Sequence, residues 1–311
     1  MNSWWHHRDF FGDVQEALAH YSEASSKESH VEFCEVAFKG LNVMWSAHQR
    51  SFGQSPDGNR PSDSKSIQNL MLAIADSCQQ WLLGQASICR LAELEPKILN
   101  HDILRNSLDY RPGRELPVAL IKKASDEHKQ LTNAYMRWNE NSTDEARTAA
   151  LKKLAQLLYV VRSNIAHGEK TEYGPDLSKA ERDKQVCAFA HPVVGDVFEA
   201  LFERPGERLA IYGTLAPEGA NREILERFSG RWTDGTVEGK IETGFELPLF
   251  IWQRGADKIP VKVLWSSELP QKWTDLDRFE GKQYRRILVP IEEQEEVVVA
   301  NIYSRRSRNY L

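Results

Sequence analysis

The spacing of apolar residues changes at about residue 207, and this change constrains the fold more than any other feature of the chain. Before it, apolar side chains recur every three or four positions, the period of an amphipathic helix. After it they come in short runs rich in β-branched and aromatic residues, bounded by Gly, Pro or charge, the mark of strands. One layer architecture does not serve both periods, so the chain reads as two domains. The expected fold class is an all-α helical bundle over residues 1–203, then a small α+β, β-barrel-like domain over 208–311, with "ERPGER" (203–208) as linker. At 311 residues there is length enough for two cores.

In the first half, "HVEFCEVAFKGLNVMWSAHQ" (30–49) places Val31, Cys34, Phe38, Leu41 and Trp45 on one helix face. Residues 66–96 predict one long helix stopped by Pro96, and residues 117–140 another that starts at Pro117. Further on, Ser142 and Glu145 fit a capping box. Leu151, Leu154, Leu158, Val161 and Ile165 then form one stripe, either core or dimer seam, before a stop at Gly168. A last helix is expected from about Ser178 to Phe202. In the second half, "RLAIYGTL", "GTVEGKIE", "LPLFIW", "IPVKVLW", "YRRILVPI" and "EEVVVANIYS" read as strands, with a helix over about Pro270–Phe279. "IEEQEE" (291–296) reads as an acidic hairpin turn, "WWHHRDF" (4–10) as a surface or docking segment, and "SRRSRNYL" (304–311) as a solvated tail.

Composition narrows the function classes. A net charge of −5 gives no bulk drive toward nucleic acid. No window reaches the roughly 18 apolar residues of a membrane span, and the N-terminal stretch has no apolar leader core. Cys34, Cys78, Cys89 and Cys187 form no C-x-x-C pair and no zinc-finger spacing with histidine, so reduced core thiols in a cytoplasmic protein are expected. No metal, cofactor or membrane is expected.

Chemistry in the second half centres on two segments. "YGTL" follows an apolar strand run. Gly213 lets the backbone turn and lets a ligand approach, and the amides of Gly213, Thr214 and Leu215 can form an anion nest. Tyr212 adds a ring with a polar tip, and Thr214 adds a hydroxyl. The bland alternative is an ordinary strand-to-loop corner. In "WTDLDRFEGKQYRR", Glu280 closes a helix among aromatic residues and precedes Gly281 and Tyr284. Desolvation there raises a carboxyl pKa toward that of a useful general base, whereas a solvated helix-end Glu would show no such shift.

Together, "YGTL" (212–215), "LDRFEG" (276–281) and "YRR" (284–286) resemble the gamma-glutamylcyclotransferase-like, or AIG2-like, family over residues 208 to about 304. The resemblance implies a small γ-glutamyl substrate whose α-amine attacks its own γ-carbonyl, releasing 5-oxoproline and an amine. It implies Glu280 as general base, and Tyr212, Gly213, Thr214, Leu215 and Tyr284 as the substrate-binding residues. "APEGAN" (216–221) and "IETGFELPLF" (241–250) would shape the leaving side.

In the first half, "YVVRSNIAHGEK" (159–170) resembles the Arg-x(4–6)-His motif of the HEPN superfamily of helical domains, with Asn164 and Gly168 also matching. That resemblance implies either metal-independent RNA cleavage by Arg162, Asn164 and His167, as in a toxin or antiviral defence effector, or a module that forms a homodimer. A helix-end histidine without either role is the third possibility. RNA would be the partner in the first case. Five residues of helix turn through about 140° beyond a full turn, so Arg162 and His167 share a face only if the helix ends between them or two copies meet.

Overall fold

The computed structural model describes residues 3–53, 61–110, 115–166, 177–242 and 248–306. The chain divides into two compact units, one Ala19–Glu203 and the other Arg204–Leu311 together with Met1–Leu18. Placing the whole of 1–203 with the helices is therefore corrected at its N-terminal end. The cause is the tryptophan pair. Trp5 is wholly buried and stacks on His6 at 4.1 Å, and Trp4 meets Phe10 edge-on at 4.8 Å. His7 pairs in an antiparallel bridge with Glu296, and Arg8 donates to the Gln294 carbonyl. The segment read as surface is thus an anchor within the β-rich unit.

The first ten α-helices are α1 (Phe11–Ala24), α2 (His30–Phe52), α3 (Asp63–Leu72), α4 (Asp76–Leu83), α5 (Ala86–Glu93), α6 (His101–Arg105), α7 (Val118–Ala124), α8 (Asp126–Asn141), α9 (Asp144–Ala166) and α10 (Leu177–Leu201). Ser29 caps α2, accepting from Val31 and Glu32, and the predicted face of α2 is buried throughout. The stripe on α9 is buried as well, from Leu151 to Ile165, and so are Ala150, Ala155, Leu157 and Val160 on its other sides. Helix α9 is therefore a central helix, and its stripe is core within one chain rather than a seam.

Three local expectations are corrected. The long helix over 66–96 is three helices, broken at Ala75, which has extended backbone, and at Gly84. Gln79 seals the first break by donating to the carbonyls of Leu72 and Ile74. The helix expected from Pro117 breaks at Ser125 into α7 and α8. The capping box at Ser142 does not form, because Ser142 takes the left-handed conformation that ends α8. Thr143 caps α9 instead, its hydroxyl accepting from Ala146.

The β-rich unit contains β1 (Arg208–Ile211), α11 (Glu223–Glu226), β2 (Arg231–Glu242), β3 (Leu249–Trp252), β4 (Lys258–Trp265), α12 (Leu269–Glu280), β5 (Tyr284–Glu293) and β6 (Glu296–Arg305). Strand order is β3-β2-β4-β1-β6-β5, and a further pairing of Thr236 with Glu292 joins β2 to β5, giving a barrel-like closure. Strand β1 runs antiparallel to β4 and parallel to β6. Alternation along it feeds two cores. Ala210 joins Val237, Phe250, Val263 and Val289 in one, while Leu209 and Ile211 join Leu269, Trp273 and Leu276 of α12 in the other. The expected hairpin at 291–296 forms with Gln294 left-handed at its tip. Among the described residues no helix is long and apolar enough to cross a membrane.

Candidate active site

The four residues of β1 are all buried, so the strand delivers the following turn at a fixed place. Tyr212, Gly213, Thr214 and Leu215 line one cavity of about 50 Å³ together with Glu280 and Tyr284, and Pro248 and Tyr303 complete its wall. A single water needs roughly 10–15 Å³ by the same measure, so the cavity has room for a few groups of that size.

The turn is built to present its amides. The Gly213 carbonyl accepts from Ala216 N–H at 3.0 Å, and the Thr214 carbonyl accepts from Asn221 N–H at 2.9 Å. With these acceptors taken, the N–H groups of Gly213, Thr214 and Leu215 donate to no acceptor among the described residues. Leu215 is only 4% exposed. Gly213 and Thr214 are half-exposed, so their amides are open to water or to a ligand that accepts hydrogen bonds. Gly213 is not in the left-handed region, so the turn does not need it for conformation. A Cβ there would meet nothing within 4 Å, and the open space beside its backbone is what glycine preserves.

Glu280 is the last residue of α12, which Gly281 closes with φ 83°. Among the described residues its carboxylate has no hydrogen bond or ion pair. Burial, with a smaller contribution from the Asp277 charge, pushes its pKa up to about 7. The aromatic surroundings inferred from sequence are real but differently composed. Phe279 is 49% exposed, and the rings in the cavity wall are Tyr212, Tyr284 and Tyr303.

Each of these phenols is already committed to the frame. Tyr212 Oη donates to the Tyr303 carbonyl and accepts from Phe250 N–H, both at 3.2 Å. Tyr284 Oη donates to the Pro248 carbonyl at 3.2 Å. Tyr303 Oη donates to Asp277 Oδ1 at 2.7 Å. Burial raises all three phenol pKa values. Among the described residues Glu280 is thus the one carboxyl that lines the cavity.

The sequence alone marks Asp277 and Arg286 only as members of the motifs "LDRFEG" and "YRR", and it assigns Tyr303 no role at the site. Arg286 lies on the same face of β5 as Tyr284 by the two-residue alternation of a strand. Its guanidinium forks onto Asp277, Nε at 3.1 Å and Nη2 at 3.4 Å, and sits 4.1 Å over the Trp273 ring. The charge pattern Asp277, Glu280, Arg286 was visible in the sequence and was the available signal.

In the helical unit the motif residues separate. Asn164 is 1% exposed, and its amide is used at both ends, accepting from His101 N–H at 3.2 Å and donating to the Leu99 carbonyl at 2.9 Å. It pins the segment before α6 to α9. Arg162 lines a different hollow, of about 170 Å³, with Glu35, Lys39 and Asn42. His167 and Gly168 lie outside the described residues. Among the described residues no group of three or more His, Cys, Asp or Glu is arranged to hold a metal ion.

The chain matches no protein-family model and no curated protein. Part of it is similar to several solved structures. An AIG2-like protein from Mus musculus shows 13% identity and a TM-score of 0.28, covering 34% of this chain and 79% of its own. YkqA from Bacillus subtilis shows 22% identity and a TM-score of 0.28, covering 32% of this chain and 36% of its own. An uncharacterised protein from Pyrococcus horikoshii shows 21% identity and a TM-score of 0.25, covering 32% of this chain and 79% of its own.

Proposed function

We propose that the β-rich unit is a gamma-glutamylcyclotransferase-like enzyme, which turns a γ-glutamyl amide into 5-oxoproline and a free amine. The observation that carries this reading is the pairing, in one small cavity, of three unused backbone amides with a carboxyl that titrates near 7. The "YGTL" and "LDRFEG" motifs supply these two parts in the order that the family resemblance implies.

The chemistry follows from the parts. Glu280, ionised, takes a proton from the substrate's α-ammonium and frees the nitrogen lone pair. That nitrogen attacks the γ-carbonyl carbon of the same molecule and closes a five-membered ring. Because the attack is intramolecular, the site chiefly has to fold the substrate into reach. The negative charge that develops on the γ-oxygen, and the substrate's own carboxylate, are matched by the amides of Gly213, Thr214 and Leu215. The bond to the leaving nitrogen then breaks as protonated Glu280 gives that nitrogen its proton, and the second proton of the attacking nitrogen, acidic once acylated, passes by way of Glu280 to the freed amine, which departs as an ammonium. Atoms and charge balance with no added reagent. Among the described residues the cavity wall carries no cationic side chain, so the amides are its source of positive potential there.

The test is 5-oxoproline release from a panel of γ-glutamyl amides, with wild type and Glu280→Gln assayed together. Release that falls by about 10²–10⁴ in the variant is the expected result for loss of a general base. Absence of release from every amide would refute the reading.

A further inference from the structure

Asp277 lies three residues before Glu280 on α12, so the two carboxyls project from the same side of the helix one turn apart. Arg286 reaches Asp277 from β5 with two nitrogens and reaches Asn301 Oδ1 on β6 with the third, at 3.2 Å. Asn301 in turn donates to the Pro205 carbonyl at 2.8 Å, just before β1. Tyr303, a wall of the cavity, places its hydroxyl on the same Asp277 oxygen that Arg286 Nε contacts. A continuous run of polar bonds thus ties the end of α12 to β5, β6 and the root of β1, the strand that carries the amide turn.

We propose that the Asp277–Arg286 pair is the positioning device of this site, fixing the end of α12 and balancing the charge that Glu280 meets beside the amide turn. This rests on the cyclotransferase reading for its role in turnover, but not for its effect on Glu280. Among the described residues, the titratable groups that interact with Glu280 are Asp277 on its own helix, Tyr284 from β5, Tyr212 from the end of β1 and Tyr303 from β6. The tyrosines are neutral over the working range. Asp277 is therefore the fixed charge that Glu280 meets, and Arg286, forked onto Asp277, is the charge that offsets it. A pair that only stabilised the fold would, when broken from either side, lower activity without moving its pH dependence. A pair that balances charge at Glu280 gives opposite shifts when broken from opposite sides.

The experiment is a carbon-13 NMR titration of the Glu280 carboxyl in the full chain, assigned by its loss in Glu280→Gln, for wild type, Asp277→Asn and Arg286→Gln. In Asp277→Asn the Glu280 midpoint is expected to fall by about one pH unit, and in Arg286→Gln to rise by a similar amount. The double variant should return close to wild type. Where 5-oxoproline release is measurable, the acid limb of kcat/KM should move in the same directions. Shifts of the same sign, or none, would overturn the proposal. If either charge-removing variant fails to fold, Arg286→Lys and Tyr303→Phe replace it. Arg286→Lys keeps the charge and should hold the midpoint near the wild-type value. Tyr303→Phe strips one hydrogen bond from Asp277 and should raise the midpoint, and the absence of that rise would again overturn the proposal. Because the titration reads Glu280 directly, it stands even if no γ-glutamyl amide is turned over.

Discussion

Asn221 reaches back across the amide turn to Thr214, donating its backbone N–H to the Thr214 carbonyl at 2.9 Å and its side-chain Nδ2 to Thr214 Oγ1 at 3.1 Å. The first bond takes the carbonyl out of use, and the second fixes the side chain next to the unpaired amides. Asn221→Ala keeps the backbone bond and loses the other. Stability should change by about 1 kcal/mol or less, the ordinary worth of one such bond. Turnover should suffer more, because the nest is no longer held in shape. We expect kcat/KM for a γ-glutamyl amide to fall about tenfold while the melting temperature barely moves. A large drop in melting temperature with an unchanged kcat/KM would contradict this.

Two glycines in the same turn should respond in opposite ways to one added methyl. A Cβ on Gly213 meets nothing within 4 Å, whereas a Cβ on Gly219 would sit 2.1 Å from the Thr214 carbonyl oxygen. Gly213→Ala should therefore fold like wild type and fill space that a substrate needs, raising KM about tenfold or more. Gly219→Ala should distort the turn and lower stability by roughly 1–3 kcal/mol. Thermal melts and steady-state kinetics on the pair separate the two cases.

The sequence makes the β-rich half legible because strand alternation and turn residues are local signals. All six strand runs and the helix ending near Phe279 can be read from them. The amide turn is legible for the same reason, since Gly213 follows a short apolar run. The Asp277–Arg286 fork is not, because it depends on β5 folding back beside α12, a relation between residues nine apart that strand register alone decides. The N-terminal tryptophans mislead for a similar reason. Nothing local in "WWHHRDF" says that Trp5 packs with residues from the far end of the chain. In the helical half, long apolar periodicity hides breaks such as Ala75 and Ser125, where the period continues across a change of direction.

Glu280 should give the protein a pH signature of its own. Its folded pKa is raised to about 7 from an ordinary value near 4.5. Between those values the unfolded chain has already released this proton and the folded chain has not. Ionisation therefore favours the unfolded chain, and stability falls as pH rises from about 4.5 through about 7. Glu280→Gln removes that penalty. The variant should be more stable than wild type at pH 8, by roughly 1–3 kcal/mol, and equal to it near pH 4. Activity should run the other way. In wild type, kcat/KM should drop about tenfold per pH unit below 7, because only the ionised carboxylate accepts a proton. Denaturant melts at the two pH values check the first statement, and a pH–rate profile checks the second.

Asn164 and Arg162 lie two positions apart on α9 yet should behave unlike each other. Asn164→Ala leaves the His101 N–H and the Leu99 carbonyl without their partner in a buried setting, and such losses cost about 1–3 kcal/mol each when water does not replace the bond. Arg162 is half-buried at the edge of a hollow and has no hydrogen bond or ion pair among the described residues. Arg162→Ala should accordingly change stability by less than about 1 kcal/mol. Urea melts of the two variants test the contrast. The same pair of proteins tests whether the helical unit cleaves RNA. Cleavage that depended on Arg162 and survived Asn164→Ala in folded protein would give that unit a chemistry of its own, with Asn164 confined to the frame. Cleavage unaffected by Arg162→Ala would remove Arg162 from any such site.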